Sequence, residues 1–299
     1  QVTATSRRTL DLSDLRSVRA FTESWQGPID ILVANAGIMA VPDRQVTAEG
    51  WELQLATNFL GHFALVDGLH ESFREGARIV TVSSGIQSAD TSALDFEDLH
   101  FERRPYDPWV AYGQSKVADI LLAVGIARRW AAEGIAANAL SPGYIHTNLQ
   151  RHLDDALMRS MGAMDEQGNL LTPDYYKTPE QGAATSVLLA ASPLLEGVSG
   201  RYFEDNQEHA AAPGRSTRRL RRNCGRSRRP RSVRSPRRRL PVGAGNVLVR
   251  QRSAGQEVVR GLVGAVRPGA VDVVAAVVDA DQGGPVAEGL TQPNRPFPR

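Results

Sequence analysis

At 299 residues with 41% apolar side chains, the chain has room for one large domain or two small ones with ordinary cores. Its net charge of +2 conceals two unlike segments: residues 1–212 carry 28 acidic against 16 basic side chains, whereas residues 213–299 carry 19 Arg, no Lys and 5 acids. The single cysteine, Cys224, excludes an internal disulfide and any multi-cysteine metal site, and the six histidines show no metal-ligand spacing, so no metal is expected.

In chain order, residues 7–12 read as the end of a short strand, with Asp11 and Ser13 as candidate caps for a helix carrying Leu15, Val18 and Phe21 at helical spacing. Residues 29–33 form an apolar, β-branched run, read as a buried strand that ends in Asn35-Ala36-Gly37. A helix is expected over about 48–73, bearing Trp51, Leu55, Asn58, Phe59 and His62. A second buried strand, 78–82, runs into Ser83-Ser84-Gly85, followed by a polar loop over 86–108. A helix over about 109–132 ends near Gly134, and a strand at 135–140 leads into Ser141-Pro142-Gly143. Residues 144–177 read as irregular, 179–191 as helix and 201–204 as strand. Alternating strands and helices mean an α/β fold with a doubly wound parallel sheet, whose site lies beyond the carboxyl ends of the strands. Asp11, Asn35, Ser84 and Pro142-Gly143 all fall at such ends. No run is apolar and unbroken enough to span a bilayer: the nearest, 262–278, is interrupted by Arg267, Pro268 and Asp272.

The chemistry centres on Tyr112-Gly113-Gln114-Ser115-Lys116. Residues four apart share a helix face, so the phenol and the ammonium can meet in one site. An adjacent ammonium favours phenolate, and bringing the Tyr112 pKa from about 10 to about 7 would let it exchange a proton at neutral pH. Ser84 is either a turn former or the group that hydrogen bonds a substrate oxygen beside Tyr112, and it is preferred to Ser83 because it lies one step further from the strand. Asn58 either satisfies a loop carbonyl or holds an ordered water for a relay to Lys116. Asn35 and Gly37 either end a strand or allow a nucleotide to approach the backbone closely. Locally, Asp11 reads as an N-cap. His62 faces a core helix and reads as structural. Met158, Met161 and Met164 form either a packing stripe or an apolar pocket wall. No Gly-x-Ser-x-Gly elbow argues for a hydrolase.

Taken in order, Asp11, Asn35-Ala36-Gly37, Asn58, Ser84, Tyr112-x-x-x-Lys116 and Pro142-Gly143 resemble the short-chain dehydrogenase/reductase family over about residues 6–208. Asp95-Phe96-Glu97-Asp98-Leu99, Asn58-Phe59-Leu60-Gly61-His62-Phe63 and Gly200-Arg201-Tyr202-Phe203-Glu204-Asp205 resemble its retinol dehydrogenase and WW-domain oxidoreductase branch. The resemblance implies a Rossmann-like sheet, an NAD or NADP cofactor, and hydride transfer between an alcohol and a carbonyl. It implies Tyr112 as acid/base, Lys116 on the phenol and the nicotinamide ribose, Ser84 on the substrate oxygen and Asn58 on a relay water. Asp11 and Leu12 would contact the adenine, Asn35, Ala36 and Gly37 would line the adenine-ribose side, and Pro142, Gly143, Ile145 and Thr147 would position the carboxamide. It implies a small-molecule substrate and leaves a homo-oligomer open, while the lone cysteine agrees with a reducing, cytoplasmic setting.

The family opens with a strand, a Gly-rich phosphate turn, a helix and a second strand before anything like residues 7–12. Their absence here predicts an N-terminally incomplete sheet lacking its first two strands, with a gap or exposed edge at its centre, weakened cofactor affinity and no readable choice between NAD and NADP. Residues 213–299 form the second departure, with 13 Arg among positions 215–239. The segment reads as a nucleic-acid-binding arm, a disordered linker or a gene read out of frame, and composition favours the last. It is therefore expected to be largely disordered, making 1–212 the folded domain. The alternative function is a non-enzymatic cofactor-sensing or nucleic-acid-binding protein using the basic tail, a role for which nucleic acid is the weaker partner.

Overall fold

The computed structural model describes residues 2–3, 5–89, 92–211 and 273–276. Seven strands form one sheet in the order β1-β7-β2-β3-β4-β5-β6. They are β1 (Val2–Thr3), β2 (Ile29–Ala34), β3 (Phe73–Val82), β4 (Ala136–Ser141), β5 (Tyr202–Glu204), β6 (Gln207–His209) and β7 (Val273–Ala276). All neighbours run parallel except β6, which turns back on β5. The returning hairpin was not anticipated, although its signal was present. Asp205 and Asn206 both have positive φ, as a two-residue hairpin turn that follows the strand twist requires, and Asn and Asp tolerate that region best.

Successive strand residues face opposite sides. Leu32, Ala34 and Ile79 pack with Val18 of α1 (Leu15–Ser24), Leu65 of α3 (Gly61–Gly68) and Ile120 and Ile126 of α4 (Pro108–Arg129). Ile31, Val33, Val80 and Val82 pack instead with Leu189 and Ala190 of α6 (Pro179–Ala191). This period of two explains why the strands read as continuous apolar runs: both faces are covered.

Several expected boundaries move. Residues 7–12 are not strand. The amides of Thr9 and Leu10 both bond to the Ser6 carbonyl, at 2.9 and 2.8 Å, and close a turn that leaves no ladder bonds. The cap of α1 is Asp14, which accepts from the Arg16 amide, rather than Asp11 or Ser13. Asp11 instead accepts from the Ser13 amide and hydroxyl and pairs with Arg7. The helix expected over 48–73 begins only at α2 (Leu53–Leu55), where buried Glu52 caps the Gln54 and Leu55 amides; a π-turn, Ala56–Leu60, then joins it to α3. The segment 144–177 contains a short helix, α5 (Asp155–Ser160), capped by Asp154.

The sheet centre is not left open. Val273–Ala276 lies between β1 and β2, pairing in parallel with both. The exposed ladder edge of β2 is thereby satisfied, as buried backbone groups require. This fills the gap expected at the sheet centre. The rest of the Arg-rich segment, with its disorder and its nucleic-acid reading, lies outside the described residues.

Candidate active site

Three strand ends and one helix build the site. β2 delivers Asn35 and Gly37, β3 delivers Ser83 and Ser84, and β4 delivers Ser141, Pro142 and Gly143. α4 lays Tyr112 and Lys116 across them. Asp107 caps α4 by accepting from the Trp109 and Val110 amides, with Pro108 at its first position, so the start of the helix is locally determined. Gly113 lets the helix meet the preceding loop: a Cβ there would lie 2.2 Å from the Ser92 hydroxyl oxygen. Gln114 bonds the Leu99 carbonyl at 2.7 Å and pins the same loop from below.

These elements enclose a cavity of about 760 Å³, lined by Asn35, Gly37, Ser84, Tyr112, Lys116, Pro142, Gly143, Ile145 and Thr147 among others. The structure thus brings together most of the residues singled out in the sequence. Asp11, Leu12 and Ala36 do not line it. Leu12 and Ala36 are buried in the core, Leu12 because α3 rests on it at Gly61.

Asn58 is wholly buried, and its side chain clamps the loop after β2. Its Oδ1 accepts from the Ile38 amide at 2.8 Å, while its Nδ2 donates to the Ile38 carbonyl and the Ser115 hydroxyl, both at 2.9 Å. The π-turn around it has a local cause. His62 Nδ1 takes the Asn58 carbonyl at 2.7 Å, the acceptor the next helical turn would have used, and the Gly61 amide reaches back to Ala56. Ser83 is buried with its hydroxyl donating to the Lys116 carbonyl at 2.7 Å, whereas Ser84 faces the cavity beside Tyr112, where its hydroxyl favours the phenolate.

The electrostatics differ from the sequence expectation at one point. Burial raises the Tyr112 phenol; Lys116 and the Ser84 hydrogen bond lower it, and Asp119 and Tyr144 raise it again, leaving it above its ordinary value rather than near neutrality. Burial also works against the Lys116 ammonium, but Asp119 and Tyr112 beside it more than offset this and hold it above its ordinary range. Asp119 therefore belongs to the site, although the sequence reading passed over it; its signal was a carboxylate three residues after Lys116 on the same helix. Also unanticipated are Trp109, edge-on to Tyr112 at 6.4 Å, and Lys177, which donates to the Pro142 carbonyl at 3.0 Å and to Asp205. Of the three methionines, Met158 is buried and packs with Met161 and Met164, while Met161 also reaches the cavity.

Burial pushes His62 down to about 4, from an ordinary 6.5. The unfolded chain binds a proton there below about 6.5 and the folded chain only below about 4, so stability falls as pH drops through that window. The full shift corresponds to about 3 kcal/mol. Acid-unfolding curves of the parent and His62→Gln are expected to differ in slope between these two pH values. Parallel curves would show that His62 is charged in the folded state.

The residues fit the nicotinamide end of a dinucleotide. Gly37 leaves an opening that a Cβ would fill at 3.2 Å from Asn58 Oδ1 and 3.7 Å from Lys116 Nζ, and the Pro142-Gly143 backbone faces it across the cavity. α4 is long and apolar enough to cross a membrane by length and composition alone, but 67% of its most apolar stretch is buried, because it is packed as a core helix against the sheet and neighbouring elements.

Comparison with known proteins agrees with this geometry. A family model described as short chain dehydrogenase matches residues 4–93. The chain is 67% identical over 207 residues to a Streptomyces antibioticus protein named "Probable oxidoreductase", covering 69% of this chain and 68% of that one. A Streptomyces lividans protein of the same name is 68% identical over 201 residues, 67% of each chain. Human "Retinol dehydrogenase 14" is 40% identical over 211 residues, 69% of this chain and 60% of its own. An identity of two residues in three over 207 residues, together with the cavity around Tyr112 and Lys116, leaves one conclusion: the chain belongs to the short-chain dehydrogenase/reductase family and is an oxidoreductase that uses NAD or NADP.

Proposed function

We propose that Tyr112 gives a proton to, and takes one from, the oxygen of a small alcohol or carbonyl substrate, with Ser84 hydrogen bonded to the same oxygen. The observation that carries this reading is that Ser84 and Tyr112 line one cavity together, beside the buried Lys116 ammonium. A substrate oxygen between them would meet two hydroxyl donors at once. NAD or NADP, when bound, supplies or accepts the hydride. Pro142, Gly143, Ile145 and Thr147 would hold its nicotinamide half, and Asn35 and Gly37 would line its adenine-ribose side. Lys116 would reach the ribose, and Asn58 would act by fixing the loop at Ile38, with a relay water on its carbonyl as a further role. Asp11, Leu12 and Ala36 would act through the packing beneath that loop.

The substrate side is apolar. Met39, Ile86, Trp109, Tyr144, Leu149 and Met161 line it, which favours a hydrophobic or aromatic alcohol or ketone. A cytoplasmic setting fits the lone cysteine. The non-enzymatic alternative rested on the Arg-rich segment, and the relatives named above are oxidoreductases and a dehydrogenase. Ser84→Ala is expected to lower turnover of an aryl ketone with NADH or NADPH by about 10²-fold, since one positioned donor is lost. Turnover within a few-fold of the parent would remove Ser84 from the reaction.

A further inference from the structure

One buried carboxylate, bonded to Lys116 behind the cavity, is not used by the acid–base reading. Asp119 lies three residues after Lys116 on α4, is 2% exposed, and its Oδ2 accepts from Lys116 Nζ at 2.9 Å. A second ammonium N–H goes to the carbonyl of Val82, the last residue of β3, at 2.9 Å. Two of the three donors of Lys116 are therefore committed away from the phenol. The ammonium itself sits 5.8 Å from the centre of the Tyr112 ring.

A lone ammonium at roughly that distance lowers a phenol by about two pH units at the effective dielectric of protein sites. A carboxylate bonded to the same ammonium turns the charge into a short dipole and cancels much of that pull. Burying a carboxylate is costly, so a charge at this position has a large electrostatic consequence for whatever lies beside it. We propose that Asp119 is a positioning residue that holds Lys116, masks its charge from Tyr112 and so keeps the phenol protonated until that hold is loosened.

The proposal rests on the reading of Tyr112 as the acid/base. The net rise of Tyr112 agrees with it, Asp119 being one of the groups that raise the phenol against Lys116. Burial pushes the Asp119 carboxyl up to about 7, with Lys116 drawing it back, so the masking charge is itself lost on mild acidification. Among the described residues, His62 from α3 is kept neutral by burial and Tyr144, from the loop after β4, adds to the rise of Tyr112; Tyr175, Lys177, Glu204 and Asp205 line the same cavity. β2 presents uncharged Asn35 and Gly37, and β3 presents the Val82 carbonyl and Ser84. A phenol kept protonated at neutral pH is the form that donates to a carbonyl oxygen, so the resting site is set for carbonyl reduction.

Tyrosinate absorbance against pH tests this without substrate or cofactor. The chain has 6 Tyr, and the difference between parent and Tyr112→Phe isolates the one phenol. Asp119→Asn is expected to lower the Tyr112 midpoint by about one to two pH units. Asp119→Ser, a second neutral replacement, is expected to do the same and serves if the Asn variant does not fold. Asp119→Glu, which keeps the charge, is expected to titrate like the parent. An unchanged or raised midpoint in the neutral variants, or a Glu variant that shifts as far as they do, overturns the proposal. Because the titration requires no turnover, its failure is distinguishable from a failure of the acid/base role, which is read by activity alone.

Discussion

Replacing Tyr112 with Phe is expected to reduce NAD- or NADP-linked turnover by about 10³-fold, the scale of a positioned proton donor, while leaving nucleotide binding and the fold in place. The physical reason is the economy of the change. The Tyr112 ring is 3% exposed and packs edge-on to Trp109, contacts that Phe reproduces. Its hydroxyl faces the cavity with half-buried Ser84, so its removal orphans no buried partner. What is lost is the proton. Steady-state assays with an aryl ketone, alongside calorimetric titration with the nucleotide, separate the two effects. Retained turnover would remove Tyr112 from the chemistry. Loss of nucleotide binding together with turnover would instead make Tyr112 part of the cofactor site alone.

Gly61→Ala should produce the largest loss of stability from a single added methyl. A Cβ at this position of α3 would lie 2.2 Å from the Leu12 carbonyl oxygen and 2.8 Å from Leu12 Cβ. The first of these is backbone, so no side-chain rotation relieves it. Helix propensity alone would favour Ala over Gly by about 1 kcal/mol, but overpacking a closed contact costs about 3 kcal/mol, so the clash wins. α3 would have to move off Leu12, and with it Asn58 and the Ile38 loop. Denaturant unfolding is expected to show a net loss of about 2 kcal/mol. A neutral or stabilising result would mean that α3 and the segment before α1 are not packed as described. The same variant is expected to weaken nucleotide binding, because Gly37 and Asn58 are joined through that loop.

The alternation of buried strands and amphipathic helices, and with it the α/β class, was legible in the sequence because each signal is local: a β-branched run at Ile29–Ala34, an Asp-Pro start at α4, a Thr-Pro start at α6. The Tyr112–Lys116 pair was equally local, four residues apart on one helix. The choice of Ser84 over Ser83 followed from counting steps beyond a strand. Other features depended on residues far apart in the chain. Leu12 and Ala36 share the motifs of the cavity but not its surface, since α3 covers Leu12 through Gly61.

By itself, then, the sequence determined which residue types stand at which strand ends, and so the chemistry available. Only the tertiary structure decided how that chemistry is tuned. Burial and the Asp119–Lys116 bond leave Tyr112 above its ordinary value, reversing the shift expected from a neighbouring lysine. Likewise, no local signal could place Val273–Ala276 between β1 and β2, because a strand's slot in a sheet is chosen by the unpaired backbone edge it satisfies, some 240 residues away in the case of β2. Spacing along a chain fixes neighbours within one helix or strand; charge balance and strand order depend on what the rest of the fold brings alongside.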